Sequence, residues 1–220
     1  MKKWLVLLLL PLTVAATPVV VFDFGGVMAH PDRSIALQFL CKSFNFSEKQ
    51  FQEAQGEIRS QVDKGSSVTG AWCDYARQKG ITLPSSWPRD FEAVQRAAIG
   101  ADPEMYALVD ELKEEGVQVA LLSNVECRHA RLLRALGLYA PFDPVVLSCE
   151  IGVDKPDPKA YRILLQQVGR PPQQVIFIDD KPANIATARA VGIDGILYES
   201  PEQVRESLEE RGLLNAVRTS

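Results

Sequence analysis

The sequence predicts an α/β fold: a parallel sheet of about five strands with helices on both faces, plus a helical insertion after the first strand. Three observations predict it. Short apolar, β-branched runs recur, and each stops at polar residues. Amphipathic helical stretches fill the gaps between most of them. A single long segment, 31–102, carries helical periodicity and no strand-like run. Strands alternating with helices specify a parallel, Rossmann-like sheet whose strands are buried on both sides.

The first strand is VVVF after Pro18, ending at Asp23. Four stretches in the insertion read as helices, at 33–44, 47–64, 69–80 and 89–99. Ser47 with Gln50 forms a capping box, and Pro84 and Pro88 bound a loop. A helix over 103–115 follows, with Asp102 as N-cap, Pro103 at its first position and Gly116 beyond its end. VQVALL ends at Ser123-Asn124, and a helix over 126–136 stops at Gly137. VVLS ends at Cys149-Glu150, and a helix over 159–168 stops at Gly169. QVIFI ends at Asp179-Asp180, and a helix over 184–191 stops at Gly192. GILY ends at Glu199-Ser200, and a polar helix over 201–211 closes the pattern. The domain reading is therefore 17–30 with 103–220 as the core and 31–102 as a helical cap over the strand ends.

Residues 1–16, MKKWLVLLLLPLTVAA, have the form of a signal peptide: Lys2-Lys3, a short apolar stretch, then small residues. Cleavage would place the protein outside the cytoplasm, periplasmic or secreted, with no stable membrane span left; an uncleaved chain would be cytoplasmic. Export would permit disulfides among Cys41, Cys73, Cys127 and Cys149, with Cys41–Cys73 the pair to consider.

Composition narrows the function. With 46 % hydrophobic and 24 % charged residues the chain is globular. A formal net charge of −4 lacks the basic field of a nucleic-acid binder. Two histidines, His30 and His129, and no Cys-x-x-Cys pair argue against a zinc site. Oligomeric state is open.

In a parallel sheet, ligands bind where strands end. Here those ends carry Asp23, Ser123-Asn124 and Asp179-Asp180. Gly25 and Gly26 after Asp23 let backbone approach an anion closely. Adjacent buried carboxylates call for a cation, and an oxygen-rich, nitrogen-poor set suits Mg²⁺. Lys155, in a Gly-Val-Asp-Lys-Pro loop, adds a positive charge. A carboxylate nucleophile, a hard cation, a lysine and a hydroxyl donor suit phosphoryl transfer through an aspartyl-phosphate. Each residue alone has a plain alternative as a cap or a solvated loop residue; the ordered set does not.

Four segments in order carry a resemblance: Asp23-Phe24-Gly25-Gly26-Val27, Leu122-Ser123-Asn124, Lys155-Pro156-Asp157-Pro158, and Asp179-Asp180-Lys181-Pro182-Ala183-Asn184. Together they resemble the haloacid dehalogenase-like hydrolase superfamily over about 18–198, in the branch of glucose-1-phosphate phosphatase-like and epoxide-hydrolase N-terminal-like proteins. The resemblance implies Asp23 as nucleophile and Mg²⁺ ligand, and Gly25 as a carbonyl ligand. It implies Ser123, Asn124 and Gly26 around the phosphate, and Lys155 neutralising the phosphoryl group. It implies Asp180 as the acidic metal ligand, ranked ahead of Asp179 because Asn184 follows it by four. The substrate class implied is a small phosphorylated metabolite, a sugar phosphate among them.

One position departs. The family's phosphatases usually carry a second Asp two residues after the nucleophile, serving as general acid and base; here it is Gly25. Such a loss typically costs on the order of 10²–10⁴ in rate. His30 and Asp32 are the nearest cap groups that could substitute, against a loop or helix-start role for each. Three further readings stay open at this point: a catalytically weak binding or regulatory protein, a dehalogenase, and a phosphotransferase. The Asp179-Asp180 pair argues against the dehalogenase, which works without metal.

Overall fold

A computed structural model describes residues 18–63 and 65–215; the leader expected at 1–16 lies outside the described residues. Five parallel strands form one sheet in the order β3-β2-β1-β4-β5. They are β1 (Val19–Phe22), β2 (Gln118–Ser123), β3 (Val145–Leu147), β4 (Val175–Asp179) and β5 (Asp194–Leu197). The helices are α1 (Arg33–Phe44), α2 (Glu48–Asp63), α3 (Val68–Gln78), α4 (Trp87–Ile99), α5 (Pro103–Glu114), α6 (Cys127–Ala135), α7 (Ser148–Ile151), α8 (Pro158–Val168), α9 (Pro182–Ala190) and α10 (Pro201–Glu210).

The first strand lies in the middle of the sheet because its four residues are apolar throughout and fully buried. Alternation sends Val20 and Phe22 to one face, against Met105, Leu108 and Leu112 of α5 and Val204 of α10. Val19 and Val21 face the other way, against Tyr161 and Leu164 of α8 and Ile185 of α9. In register, Phe22 lies beside Leu121 of β2 and Ile178 of β4. Asp23, Ser123 and Asp179 therefore emerge together at one edge of the sheet. The polar helix α10 docks rather than frays, burying Val204 and Leu208 and pairing Arg205 with Glu111 at 2.6 Å.

Helices α1–α4 share a core of their own, built on Phe44, Phe51, Trp72, Tyr75, Trp87 and Phe91. Ser47 and Gln50 form the expected capping box: the Ser47 N–H donates to Gln50 Oε1 at 2.8 Å and the Gln50 N–H to Ser47 Oγ at 3.3 Å. Pro88 corrects the expectation of a loop there. It lies in the first turn of α4, where a missing N–H costs the helix nothing. Pro182 likewise starts α9 two residues before the expected 184.

The two connections between cap and core run side by side. Ala29 bridges Ala101, the His30 N–H donates to Gly100 O at 2.8 Å, and the Asp102 N–H to Met28 O at 3.0 Å. Gly100, at φ +61, is required here, because a Cβ would lie 2.1 Å from His30 O. All four cysteines are free thiols, so the pairing considered for Cys41 and Cys73 is not formed. Among the described residues no helix is long and apolar enough to cross a membrane.

Candidate active site

Asp23 follows β1 and is 4 % exposed. Its N–H still bonds in the ladder, to Ile178 O at 2.8 Å, while its Oδ1 accepts the Phe24 N–H at 2.7 Å. The chain then turns sharply, with the Met28 and Ala29 N–H groups both donating to Phe24 O. The side chain is thus fixed by its own loop before any neighbour is considered.

Lys155 reaches this carboxylate from the loop preceding α8. Asp157 caps that helix through the Lys159 N–H at 2.8 Å, and Pro158 occupies its first turn. The Lys155 ammonium is buried and all three of its protons are used: Asp23 Oδ1 at 2.7 Å, Asp179 Oδ2 at 2.7 Å and Leu122 O at 2.8 Å. Its Nζ also lies 5.2 Å from the Phe177 ring centroid.

Asn124, expected at the phosphate, has its side-chain amide engaged elsewhere. Its amide clasps the Lys155 backbone on both sides, donating to Lys155 O and accepting from the Lys155 N–H, each at 2.8 Å. It positions the lysine. Ser123 Oγ is the group left open there: the residue is 3 % exposed and its hydroxyl makes no hydrogen bond among the described residues.

Asn184 also differs from expectation. Its Nδ2 lies 2.9 Å from both oxygens of Asp179, not against Asp180, and its carbonyl accepts the Tyr161 hydroxyl at 2.9 Å. Asp179 additionally accepts the Lys181 N–H at 2.8 Å. Asp179 is therefore saturated by protein donors, whereas Asp180 keeps a buried Oδ1 with no partner. That orphaned oxygen, and not the spacing of Asn184, favours Asp180 over Asp179 for a cation.

Asp23, Asp179 and Asp180 each offer an oxygen, all within 4.8 Å of one another. Three carboxylates face one ammonium, which leaves an excess of negative charge in a buried pocket. Burial pushes the Asp23 carboxyl up to about 6; Lys155 opposes the shift and Asp179 adds to it. An oxygen-only set with an orphaned carboxylate oxygen fits a hard divalent cation.

Gly26 also takes a different role from the phosphate contact expected. Its N–H is spent on Ala29 O at 2.8 Å, and at φ +88 a Cβ would lie 2.5 Å from Asp180 Oδ2. Gly26→Ala should therefore displace Asp180. We expect at least ~10-fold weaker Mg²⁺ binding by calorimetry, in the range that supporting residues of metal sites command.

Neither expected substitute for the missing acid reaches the nucleophile as a free group. Asp32 caps α1 through the Ser34 N–H at 2.9 Å, and His30 Nε2 lies 3.5 Å from Asp102. At Gly25 a Cβ would meet nothing within 4 Å, so the position is open.

A cavity of about 1130 Å³ opens from Gly25 and Ser123 into the space beneath the cap. Trp72 and Phe91 both pack the cap core and line this cavity. Gln95 lines it too and was missed. Its signal was present in the α4 sequence, where the buried positions 87, 91, 95 and 99 read Trp, Phe, Gln, Ile. A separate cavity of about 560 Å³ lies beyond Asn124 against Cys149 and Asp154, away from the carboxylates.

A parallel α/β core with a lysine-bridged carboxylate cluster at its strand ends, roofed by an inserted helical cap, defines a class of hydrolases. The chain belongs to the haloacid dehalogenase-like hydrolase family, whose sequence profile matches residues 17–192. It is 30 % identical to a sesquiterpene phosphatase of Aspergillus oryzae over 80 % of this chain and 87 % of that protein. It is 26 % identical to the bifunctional epoxide hydrolase 2 of Rattus norvegicus over 86 % of this chain and only 36 % of that longer protein. Among solved structures, a haloacid dehalogenase-family phosphatase of Thermococcus onnurineus superposes with a TM-score of 0.58 at 15 % identity. That match covers 87 % of this chain and 98 % of the other, and shows the shared fold.

Proposed function

We propose that this hydrolase is a Mg²⁺-dependent phosphatase acting on the phosphate monoester of a small organic alcohol through an aspartyl-phosphate on Asp23. The observation that carries it is the cluster itself: a buried carboxylate, a lysine bridging it to Asp179, and Asp180 with an oxygen left for a cation. Relatives named for a sesquiterpene, for phosphoserine and for phosphoglycolate support a phosphatase and leave the alcohol to be read from the pocket.

Asp23, Asp180 and the Gly25 carbonyl would hold the cation, with Asp179 behind them. A bound Mg²⁺ supplies positive charge that lets a phosphate dianion approach a carboxylate. The chain's own residues do the rest. Ser123 Oγ donates to a phosphoryl oxygen. An Asp23 oxygen attacks phosphorus as the bond to the alcohol oxygen breaks, and that oxygen leaves with the electron pair. Lys155 stays beside the Asp23 oxygen it already holds and offsets charge there. Water then attacks phosphorus, the Asp23 oxygen–phosphorus bond breaks, and inorganic phosphate and the free carboxylate are restored. Export from the cytoplasm is part of the same reading and rests on the sequence of residues 1–16.

With glycine at 25 the alcohol takes its proton from water. Gly25→Asp should therefore help most where the leaving group is poor. We expect kcat/KM on alkyl phosphates to rise by about 10² relative to para-nitrophenyl phosphate. No change in that ratio would show that leaving-group protonation does not limit the enzyme. The reading as a whole is tested by phosphate release from an ester panel with Mg²⁺ and with EDTA. Loss of activity in EDTA is expected; turnover unaffected by EDTA would contradict the metal.

A further inference from the structure

The cavity beneath the cap has an uneven lining. Of its charged members, Arg33, Glu48 and Arg59 are solvent-exposed and Arg128 is half-buried. Its buried members are apolar, Leu40, Phe51, Ile58 and Trp72 among them, with two polar exceptions. One is Ser123, at the phosphoryl end. The other is Gln95, on α4 of the cap.

Gln95 breaks the rule its helix otherwise follows. It occupies a buried position in the stripe of Trp87, Phe91 and Ile99 and is 7 % exposed. Its amide makes no hydrogen bond among the described residues. Its polar atoms are not sealed in the interior; they keep access to the open space of the cavity, where an apolar side chain would have completed the stripe. A group kept in that state beside a large cavity is suited to a partner that arrives with a ligand.

Resting on the phosphatase reading above, we propose that the leaving group is a predominantly apolar alcohol. Its body fills the cavity, and one hydroxyl or carbonyl oxygen on it accepts from the Gln95 amide. The volume of about 1130 Å³ exceeds what a phosphorylated three- or four-carbon acid needs. A sugar fits poorly for a different reason. It brings several hydroxyls, and the other polar lining residues, Gln52, Gln55 and Arg128 among them, are exposed or half-buried; the buried walls offer one amide beyond Ser123, so a hydroxyl held there without that amide would count against it. Gln95 is then a specificity residue that selects a singly oxygenated apolar body over a plain one.

The test uses the full chain with Mg²⁺ and four kinds of ester kept below their critical micelle concentrations. These are para-nitrophenyl phosphate, butyl phosphate, dodecyl phosphate and a set of dodecyl phosphates each bearing one hydroxyl along the chain. Dodecyl over butyl phosphate should gain on the order of 10²-fold in kcat/KM, since each buried methylene contributes. The best hydroxylated member should exceed plain dodecyl phosphate. In Gln95→Leu that preference should fall about 5- to 10-fold, while the melting temperature stays within about 2 °C of the wild type, because the amide already opens onto the cavity. Gln95→Asn, which keeps an amide N–H to donate, should retain part of the preference.

If para-nitrophenyl phosphate is hydrolysed but butyl and dodecyl phosphates are equal, the apolar leaving group is overturned and the phosphatase reading stands. If Gln95→Leu lowers plain and hydroxylated substrates alike, the specificity role of Gln95 is overturned. If no ester is hydrolysed, para-nitrophenyl phosphate included, the phosphatase reading itself falls.

Discussion

Asp23→Asn should melt at a higher temperature than the wild-type chain in EDTA at pH 8, and it should release no phosphate from any ester. The two effects have one cause. Asp23 is buried against Asp179, and its carboxyl is pushed up from 3.8 to about 6. A raised pKa in the folded state favours folding fully below the unfolded value, and that contribution is lost as pH rises through the folded value. At pH 8 the charged carboxylate is therefore a cost, amounting to about 2–3 kcal/mol. Asparagine mimics the neutral acid and escapes it. The difference in melting temperature should be near zero at pH 3 and grow as pH rises through 4–6. Mg²⁺ should close the gap, because it stabilises the wild-type site by mass action and binds the variant less. An Asp23→Asn protein less stable than wild type in EDTA at pH 8 would show that the Lys155 contact outweighs burial.

Lys155→Met should carry the opposite stability sign and a large but incomplete loss of activity. The lysine ammonium bridges Asp23, Asp179 and the Leu122 carbonyl. Removing it leaves two buried carboxylates facing each other, a change that typically costs about 3–5 kcal/mol. It also removes the charge that offsets the phosphoryl group, for which a loss on the order of 10³ in kcat is expected. Mg²⁺ should restore much of the stability without restoring turnover, since a cation can neutralise the carboxylates but cannot replace an ammonium fixed by Asn124. Measured in urea with and without Mg²⁺, a variant as stable as wild type in EDTA would contradict this account of the site.

These contrasts show what could be read in the sequence. The strands were legible because each is a short run of apolar residues that stops at polar ones. Asp23, Ser123 and Asp179 were legible as site residues for the same reason: a polar group ending a buried strand is placed by the strand. The partners of Asn124 and Asn184 were not. Asn124 bonds to the Lys155 backbone, 31 residues away and brought near only by tertiary packing, and Asn184, at the start of α9, turns to Asp179 five residues back rather than to Asp180 four back. Gly26 was read as a phosphate cradle because glycine permits close approach, and the group that approaches is Asp180. Gln95 was passed over because helical periodicity identifies which residues face inward and says nothing of whether an inward amide finds a partner.

The central claim is that Asp23 becomes phosphorylated. It is tested most directly by acid-quenching the chain in the first turnovers with para-nitrophenyl phosphate and Mg²⁺, digesting it, and locating the phosphoryl group by mass spectrometry. The account predicts a hydroxylamine-labile phosphoryl group on the peptide carrying Asp23, absent in EDTA and in Asp23→Asn. Phosphate release with no such adduct in the first turnovers, or an adduct on any other residue, would contradict it.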